Sequence, residues 1–471
     1  MITRNLHQAG AAACLLMALY ASPAQAADIW VSGTGSDLGG DGSSAEPFRT
    51  IGRAMVQAVP HDVIKVLSGD YGIADGEVFP IAIKHGVDII GQEGSPANYP
   101  RIGGDVEDGD VRALFEVVAD TADRTGILIS GLRFVGEDTA NEDAPSAIYV
   151  ENADGYKAWV AVENSIIERS RMNDSGSSGR PAVLGRAGAG GTPGNSPDGE
   201  VYLSLAIFMC TIVPTDAGGV KFEVSADATP AFAARADLVV SRSSFTLSGS
   251  ETAPSAIDLF FHADADDESF VAVRSWNTER NVIMDNDGDG LVVRQIGDEG
   301  DTYLNFRFKG NLIADNAGSA LYFDGIVETS GEATVTSNTL AGNARYGVEF
   351  VDSSAPAFLL YFQNNIVWDN GLGSGSGWDP TVDPNLFTHN DWQGLFGLSP
   401  SCTPDGDDNV DADPGFVNAT SGDYHLADTS CVIAKGTNSP VYPLTEHDID
   451  AEDRVYGARV DIGADEYHPE E

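Results

Sequence analysis

Three aspartates alternate with other residues in the stretch Asp285-Asn286-Asp287-Gly288-Asp289-Gly290. Carboxylate oxygens are the ligands that Ca²⁺ prefers, so Asp285, Asp287 and Asp289 are candidate calcium ligands. An EF-hand loop requires an acid at its twelfth position, where this chain has Ile296. The stretch therefore predicts a structural turn between strands, and a calcium site of a different kind is the alternative that would make calcium a cofactor.

Two basic residues, Arg307 and Lys309, lie two positions apart in the alternating stretch LNFRFKG. A polysaccharide lyase needs a base to remove a proton and a cation to neutralise the uronate carboxylate. Arg307 and Lys309 are therefore candidate catalytic residues. Arg242, in the predicted column of Lys309, and Tyr361, in the neighbouring predicted column of Arg307, are candidate substrate-binding residues. The alternative is a solvated strand face on which Arg and Lys stems cover apolar neighbours.

Two carboxylates, Asp324 and Asp352, end corresponding strands in successive copies of a repeat. If both point outward they lie about 5 Å apart at the backbone. Paired carboxylates are the catalytic groups of glycoside hydrolases, so both residues are candidate catalytic groups of an inverting hydrolase. In a chain with 72 acidic residues, adjacent carboxylates also arise by chance.

Self-similar segments recur along the chain, each with a strand before it and a Gly-containing turn and second strand after it. The copies NVIMDN, NLIADN, NTLAGN and NIVWDN begin at residues 281, 311, 338 and 365. No helical pattern lies between the strands, which excludes βαβ winding. The pattern predicts a β-solenoid whose coils stack in parallel about every 4.8 Å.

The second asparagine of each copy stands at a predicted corner, where the strand ladder is broken. An asparagine inside such a corner can hydrogen-bond the equivalent asparagine and backbone of the next coil. We therefore predict a structural ladder of Asn286, Asn316, Asn343 and Asn370.

The first 26 residues have a basic start, a short apolar middle and a small-residue end at Ala24-Gln25-Ala26. This pattern predicts a secretory signal peptide cleaved after Ala26, and the apolar run is too short to span a bilayer. Acylation of Cys14 in a lipoprotein is the alternative. The predicted location is extracellular or at the cell surface, where a disulfide between Cys402 and Cys431 is expected and Cys210, in an apolar run, is expected to be buried.

The chain is strongly acidic, with a net charge of −46, and removal of the signal peptide leaves −47. Such a surface repels nucleic acid, so we expect no nucleic-acid partner. It also repels a polyanionic sugar chain, unless cations bridge the two or basic residues cluster locally.

One short amphipathic helix is predicted near the N-terminus, with Thr50 as its N-cap and an apolar face of Ile51, Ala54, Met55 and Ala58. The end of a solenoid exposes an unpaired strand edge, and this helix would cover it.

Two stretches resemble known modules. IWVSGTGSDLGGDGSSAEPFRTIGRAM and the following DVIKVLSGDYG, within residues 28–91, resemble the opening module of unknown function on many bacterial right-handed parallel β-helices of the pectin-lyase-like superfamily. DADPGFVNATSGDYHLADTSCVIAKG and DIDAEDRVYGARVDIGADEY resemble the choice-of-anchor Q domain of surface-exported β-helix proteins. The resemblance implies a fold and no single reaction, because the superfamily holds lyases, hydrolases, epimerases, binding proteins and adhesins.

The sequence thus predicts an all-β protein. A right-handed parallel β-helix at 27–380, with its capping helix and an extruded Gly/Ser/Pro-rich loop at 171–200, precedes a smaller β-rich module at 381–471. The expected function is carbohydrate binding or carbohydrate-active chemistry on an acidic polysaccharide, by a monomer without a transmembrane segment and, if an enzyme, by a lyase. A non-catalytic adhesin or matrix protein is the main alternative, and an inverting glycoside hydrolase is the second.

Overall fold

The structure is a computed structural model that describes residues 26–92, 94–105, 111–120, 122–137, 145–152, 156–169, 180–189, 200–213, 218–226, 233–246, 255–263, 270–296, 301–326, 329–351, 359–376, 387–394 and 402–469. The predicted signal peptide, apart from Ala26, lies outside these residues, so its cleavage stays a prediction. In the described part of the chain, no helix is both long enough and apolar enough to cross a bilayer.

Almost all regular structure in these residues is strand. In chain order the elements are β1 (Asp28–Val31), α1 (Ile51–Gln57), β2 (Val63–Val66), β3 (Asp70–Tyr71), β4 (Ile81–Ala82), β5 (Asp88–Gly91), β6 (Arg101–Asp105), β7 (Ala113–Ala119), β8 (Arg124–Ser130), β9 (Arg133–Glu137), β10 (Ser146–Asn152), β11 (Lys157–Glu163), β12 (Ile166–Arg169), β13 (Val183–Ala189), β14 (Glu200–Phe208), β15 (Thr211–Val213), β16 (Val220–Ala226), β17 (Ala233–Ser241), β18 (Ser244–Phe245), β19 (Ile257–Ala263), β20 (Phe270–Glu279), β21 (Val282–Met284), β22 (Leu291–Ile296), β23 (Asp301–Lys309), β24 (Leu312–Ala314), β25 (Leu321–Asp324), β26 (Thr329–Thr336), β27 (Thr339–Ala341), β28 (Tyr346–Val351), β29 (Leu359–Gln363), β30 (Ile366–Trp368), β31 (Gly373–Ser376), β32 (Phe387–Thr388), β33 (Asp391–Trp392), β34 (Phe416–Asn418) and β35 (Asp423–Leu426). Short 3-10 turns lie at Ile73–Asp75, Pro96–Asn98 and Ala419–Ser421.

The strands form three long parallel sheets. The first sheet has the order β1-β2-β5-β8-β11-β14-β17-β20-β23-β26-β29-β32, the second β31-β28-β25-β22-β19-β16-β13-β10-β7-β4, and the third β3-β6-β9-β12-β15-β18-β21-β24-β27-β30-β33. Each coil adds one strand to each sheet, so the chain folds as the predicted right-handed parallel β-helix.

Strand alternation places equivalent apolar side chains in inward columns. In the first sheet Val160 pairs with Leu205, and Leu205 with Leu238, and all three are fully buried. Because the period of a strand is two, every second residue faces the interior, and successive coils deliver similar residues to the same column. One continuous apolar core therefore runs along the axis.

Two asparagine ladders line the corners. The predicted one is present, with Asn286 Nδ2 2.6 Å from Asn316 Oδ1, and with Asn316 to Asn343 at 2.8 Å and Asn343 to Asn370 at 2.9 Å. The second, which was not predicted, joins side chains at 2.9–3.2 Å along Asn281, Asn311, Asn338, Asn365, Asn390 and Asn409. Each amide also satisfies backbone groups that the corner leaves without ladder partners.

The N-terminal helix α1 has the predicted cap and the predicted face. The Thr50 hydroxyl accepts a hydrogen bond from the Arg53 amide at 3.1 Å, and Ile51, Ala54, Met55 and Ala58 are all buried. The Glu77 carboxylate accepts hydrogen bonds from the first amides of the helix, Ile51 and Gly52, at 2.7 and 2.9 Å. This satisfies helix donors that have no intrahelical partner.

The extruded loop predicted at 171–200 is wrong in its middle, because Val183–Ala189 forms β13 of the second sheet. The small residues that suggested a loop leave room for side chains of the neighbouring coil. A Cβ at Gly185 would lie 2.6 Å from the Phe222 ring of the next coil. Residues 171–179 and 190–199 lie outside the described residues.

The predicted boundary at 380 is also wrong, because β32 and β33 continue the first and third sheets. The Gly/Ser-rich residues just before this boundary include β31, where a Cβ at Gly375 would lie 2.8 Å from the Trp392 ring. Beyond β33 the chain forms a module with the antiparallel pair β34–β35 and the expected disulfide between Cys402 and Cys431. Cys210 is buried, as its apolar surroundings indicate.

Part of this module, which we call the crossing segment (437–448), lies across successive strands of the first sheet. Thr437 exchanges hydrogen bonds with Asn364 at 2.8 and 3.0 Å, and Val441 N donates to Gln363 Oε1 at 2.9 Å. At the far end, Arg280 Nε donates to Asp448 O at 2.6 Å. The segment thus passes from the end of β29 to the end of β20.

Candidate functional site

A cleft on the outward face of the second sheet collects basic side chains. We call it the cationic cleft; it is a cavity of about 390 Å³ lined by Arg112, Tyr149, Arg180, Pro181, Leu184, Arg186, Lys221 and Glu223. Four lining residues are cationic and one is acidic, in a chain with 26 basic and 72 acidic residues. It is therefore a local exception to the charge of the whole molecule.

The register of the second sheet brings these residues together from separate coils. Tyr149, Leu184 and Lys221 occupy one column, and Glu151, Arg186 and Glu223 occupy the column two residues further along. Side chains two positions apart on a strand share a face, so both columns point outward beside each other. Glu151 and Glu223, which are 72 positions apart in the sequence, thus share one column of three adjacent strands.

Tyr149 forms the floor of the cleft, with arginines over its ring. The guanidinium carbons of Arg112 and Arg186 lie 4.3 and 5.9 Å from the ring centroid. Tyr149 is only 2% exposed, and no hydrogen bond of ordinary geometry reaches its buried hydroxyl from the described residues. Burial, reinforced by the Glu151 carboxylate, raises the pKa of Tyr149 to about 12, so the phenol stays protonated at neutral pH.

Carboxylates orient the basic side chains. Arg112 Nε lies 2.6 Å from Glu116 Oε1, Arg186 Nε lies 2.5 Å from Glu223 Oε2, and Lys221 Nζ lies 2.8 Å from Glu223 Oε1. Burial lowers the pKa of Arg112, but the hydrogen bond and charge of Glu116 outweigh it and raise the pKa above its usual value. The pKa of Arg186 is raised in the same way by Glu223.

The same face continues with more paired charges toward the C-terminal coils. Arg294 lies 3.5 Å from Asp258 and 5.9 Å from the centroid of the Tyr322 ring. Arg345 lies 2.5 Å from Glu349. Basic side chains therefore recur along the axis, although each has a carboxylate partner.

The predicted basic pair lies elsewhere, on the first sheet under the crossing segment. Lys309 Nζ lies 2.8 Å from Glu279 and its side chain is 14% exposed. The Arg307 guanidinium lies 4.6 Å from the centroid of the Tyr442 ring, and the Tyr442 hydroxyl donates to Glu332. Both basic groups thus have partners within the protein, and their catalytic role stays a prediction.

Of the two candidate substrate-binding residues, Tyr361 occupies its predicted column and Arg242 does not. Lys309 aligns with Glu279, and Glu279 aligns with Ser241, so Arg242 is one residue past the predicted column. It occupies a corner position with φ 53°, and its guanidinium lies 5.2 Å from the Phe208 ring centroid. Tyr361, partly exposed, aligns with Thr334 and hence with Arg307 as predicted.

The predicted carboxylate pair is out of register by one residue. Asp324 aligns with Val351, not with Asp352, and Tyr322 aligns with Glu349. Asp352 itself lies outside the described residues. The prediction therefore placed Asp352 beside Asp324, where the structure has Val351 of β28.

The aspartates of the opening motif occupy a turn around the inward-pointing Asn286. Asp285 has φ 56° and is exposed, as is Asp287. Asp289 Oδ1 accepts a hydrogen bond from Ser319 N at 2.6 Å, which links two coils. Calcium binding by Asp285, Asp287 and Asp289 stays a prediction. Among the described residues the groups with converging ligand atoms are His425, Asp450 and Asp465, and Asp448, Glu452 and His468.

Comparison with known proteins adds one local match and distant likenesses of fold. A family described as a protein of unknown function, DUF1565, matches residues 33–110, which overlaps the predicted opening module. A search of curated proteins found no match. The choice-of-anchor resemblance stays a prediction.

Three solved structures are similar in fold at low identity. A complex of XylC with xylose is 11% identical over 93% of this chain and 98% of that chain, with a TM-score of 0.45. Pectate lyase Pel9A is 13% identical over 94% and 96%, with a TM-score of 0.46. A rhamnogalacturonan lyase is 11% identical over 86% and 95%, with a TM-score of 0.43.

Proposed function

We propose that this protein binds an acidic polysaccharide, a polymer of carboxylated sugars, through the cationic cleft. The observation that supports the proposal is the convergence of Arg112, Arg180, Arg186 and Lys221 on one cavity in a chain of net charge −46. Long-range repulsion of a polyanion falls off within about 10 Å at 0.1 M salt, whereas contacts inside the cleft are short-range. A local basic site is therefore sufficient to hold the polymer.

Arginine suits this ligand because its planar fork donates two parallel hydrogen bonds to one carboxylate. Arg112 and Arg186 are held over Tyr149 and oriented by Glu116 and Glu223, so little side-chain freedom is lost when a ligand binds. The recurrence of Arg294 and Arg345 further along the face supports a ligand that extends over several coils.

The raised pKa values of Arg112 and Arg186 favour binding over catalysis. A general base must give up its proton near the working pH, and these guanidinium groups are held more firmly in the charged form. The proposal is therefore a binding protein at or outside the cell surface. Lyase action by Arg307 and Lys309 and the use of calcium are additional proposals.

Binding is tested by isothermal titration with polygalacturonate oligomers and with neutral dextran oligomers of the same length. The Arg186→Gln variant should bind polygalacturonate about tenfold more weakly, since one charge-assisted contact is lost. Arg133→Gln is the matched control, because Arg133 is also paired with a glutamate, Glu168 at 2.6 Å, but lies on the third sheet.

Equal binding of dextran and polygalacturonate, or unchanged affinity in Arg186→Gln, would reject the cleft as an acidic-glycan site. Ultraviolet absorbance of unsaturated uronides, followed in the same samples, tests the lyase proposal separately. Release of such products by the wild type and not by Arg307→Ala would establish catalysis at the first sheet.

A further inference from the structure

A second cavity, of about 280 Å³, lies where the C-terminal module meets the third sheet. We call it the aromatic pocket; it is lined by Ala341, Gly342, Trp368, Asp369, Asp413, Gly415, Phe416, Ala419 and Tyr424. Three aromatic rings and two carboxylates line it, and none of its lining residues in the described part of the chain is basic. Its chemistry is therefore opposite to that of the cationic cleft.

The pocket exists because a large residue tops a column of small ones. Trp368 on β30 aligns with Ala341, and Ala341 aligns with Ala314, so the space beside the indole is left open by alanine side chains. Gly342 adopts φ 68°, and a Cβ there would lie 2.5 Å from both the Tyr424 hydroxyl and Asp315. A side chain at that position would therefore disturb the wall of the pocket.

The aromatic walls are fixed by packing and hydrogen bonding. The Phe416 and Tyr424 rings meet edge to face with centroids 5.1 Å apart. The Tyr424 hydroxyl donates to Asp315 Oδ1 at 2.7 Å, which uses its proton within the protein. Trp368 packs against the apolar core of the module and stays partly exposed.

Negative charge surrounds these rings. Asp369 and Asp413 are exposed at the pocket. Asp413 Oδ1 accepts a hydrogen bond from Gly415 N at 2.9 Å, and no donor among the described residues occupies its second oxygen. Burial, together with the carboxylates of Asp315, Asp369 and Asp285, raises the pKa of Tyr424 far above its usual value. The electrostatic field in the pocket therefore favours a cation.

We propose that the aromatic pocket binds an organic ammonium group, such as an alkylated amine or a protonated amino sugar. Aromatic faces attract such cations through their ring quadrupoles, and neighbouring carboxylates supply the balancing charge. A compact metal ion would bind weakly in this pocket, because its preferred ligands are several converging oxygens rather than aromatic rings. The inference is independent of the acidic-glycan proposal, which concerns the second sheet.

Titration calorimetry at constant ionic strength tests the pocket with choline and with dimethylbutanol, its uncharged isostere in which carbon replaces nitrogen. Glucosamine and glucose form a second pair that differs by one ammonium group. Choline and glucosamine should each bind at least about tenfold more tightly than their uncharged partners, because only they have the cation.

Trp368→Leu retains an apolar side chain and removes the ring, so it should weaken choline binding about tenfold. Trp159→Leu is its control, because Trp159 is 56% exposed on the first sheet. Asp413→Asn retains the hydrogen-bond acceptor and removes the charge, and exposed Asp428→Asn is its control. Circular dichroism checks that each variant is folded.

Equal affinity for choline and dimethylbutanol would show an apolar pocket and overturn the proposal. Binding of glucose but not of choline would show a neutral-sugar site, which also overturns it, as would the absence of binding by every ligand. Unchanged choline affinity in the folded Asp413→Asn and Trp368→Leu variants would place the ammonium elsewhere.

Discussion

The ring of Tyr442 covers the guanidinium of Arg307, with 4.6 Å between the guanidinium carbon and the ring centroid. Arg307 belongs to β23 of the first sheet, whereas Tyr442 belongs to the crossing segment, 135 residues later in the chain. The contact therefore joins the C-terminal module to the β-helix through a basic group that the sequence suggested for catalysis.

We expect Arg307→Ala to lower the free energy of unfolding by about 1 kcal/mol, because the cation–π contact with Tyr442 is lost. The affinity for polygalacturonate should not change, since the cationic cleft lies on another sheet. Chemical denaturation and titration calorimetry measure the two quantities. Tyr442→Phe, which keeps the ring and removes the hydrogen bond to Glu332, is the companion variant. A large loss of glycan affinity in Arg307→Ala would contradict this assignment.

A buried ion pair holds the C-terminal module together. Arg454 Nη1 lies 3.0 Å from Glu466, both side chains are 1% exposed, and Arg454 also donates to the carbonyl oxygens of Asp461, Gly463 and Asp465. Removing one partner leaves the other charge buried without compensation. Arg454→Met should therefore destabilise the protein by about 3–5 kcal/mol in denaturant unfolding.

The control for that variant is Arg459→Met in the same module. Arg459 is exposed and donates only to the carbonyl oxygens of Gly436 and Lys435 among the described residues, so its loss should cost less than about 1 kcal/mol. Equal losses of unfolding free energy in the two variants would mean that the buried ion pair stabilises the module no more than the exposed Arg459 does.

Substitution of an asparagine in the interior of the longer ladder is expected to destabilise the protein. Asn338 accepts from Asn311 and donates to Asn365, each at 2.9 Å, and it donates to Phe308 O at the same distance. Asn338→Ala leaves several buried backbone and amide groups unsatisfied, so we expect a loss of about 3 kcal/mol in thermal or chemical unfolding.

The Asn338→Ser variant should be more stable than Asn338→Ala. Ser243 occupies the same ladder in an earlier coil, where its hydroxyl accepts a hydrogen bond from Cys210 N at 3.1 Å. Asn305→Ala, at a partly exposed outward position of β23, is the control and should change stability by less than about 0.5 kcal/mol. An Asn338→Ala variant as stable as the wild type would show that the ladder is dispensable.

The stability of the C-terminal module should depend on pH through His425. The hydrogen bond to Asp450 at 2.8 Å, opposed by burial and assisted by Asp423 at 2.6 Å, raises the pKa of His425 from 6.5 to about 10. A raised histidine pKa stabilises the folded state fully below pH 6.5, and the contribution is lost as pH rises toward 10.

The melting temperature of the wild type should therefore exceed that of His425→Gln near neutral pH. This difference in melting temperature should disappear as the pH approaches about 10, the pKa of His425 in the folded protein. Half of the His425 side chain is exposed, so solvent screening keeps the effect below about 1 kcal/mol. A gap that is constant over this range would contradict protonation of His425 as its cause.

The sequence was sufficient to predict the β-helix because its signals are local and repeated. The asparagines at 286, 316, 343 and 370 recur at coil spacing and form a ladder, and the four residues predicted to form the apolar face of the N-terminal helix are all buried. The second ladder had the same signal, since Asn281, Asn311, Asn338 and Asn365 begin the same copies.

Errors of one residue arose where a corner or a strand end interrupts alternation. Met209, Arg242 and Arg280 have φ of 51–56° without being glycine, so they belong to corners although their residue types resemble strand residues. The cationic cleft was missed because its residues come from strands that are spaced more widely in the sequence than the repeat copies. β13, which supplies Arg186, has a Gly/Ala-rich sequence whose packing against Phe222 appears only in three dimensions.

The crossing segment contacts β29, β26, β23 and the corner that follows β20, in that order, through Gln363, Glu332, Arg307 and Arg280. Because the segment has a fixed length, it also fixes the number of coils between its first and last contacts. Coils could be gained or lost by duplication elsewhere without altering this contact, whereas an extra coil beneath the segment would lengthen the path by about 4.8 Å and misplace every anchor beyond it. Natural variation in coil number should accordingly concentrate in the N-terminal half of the β-helix.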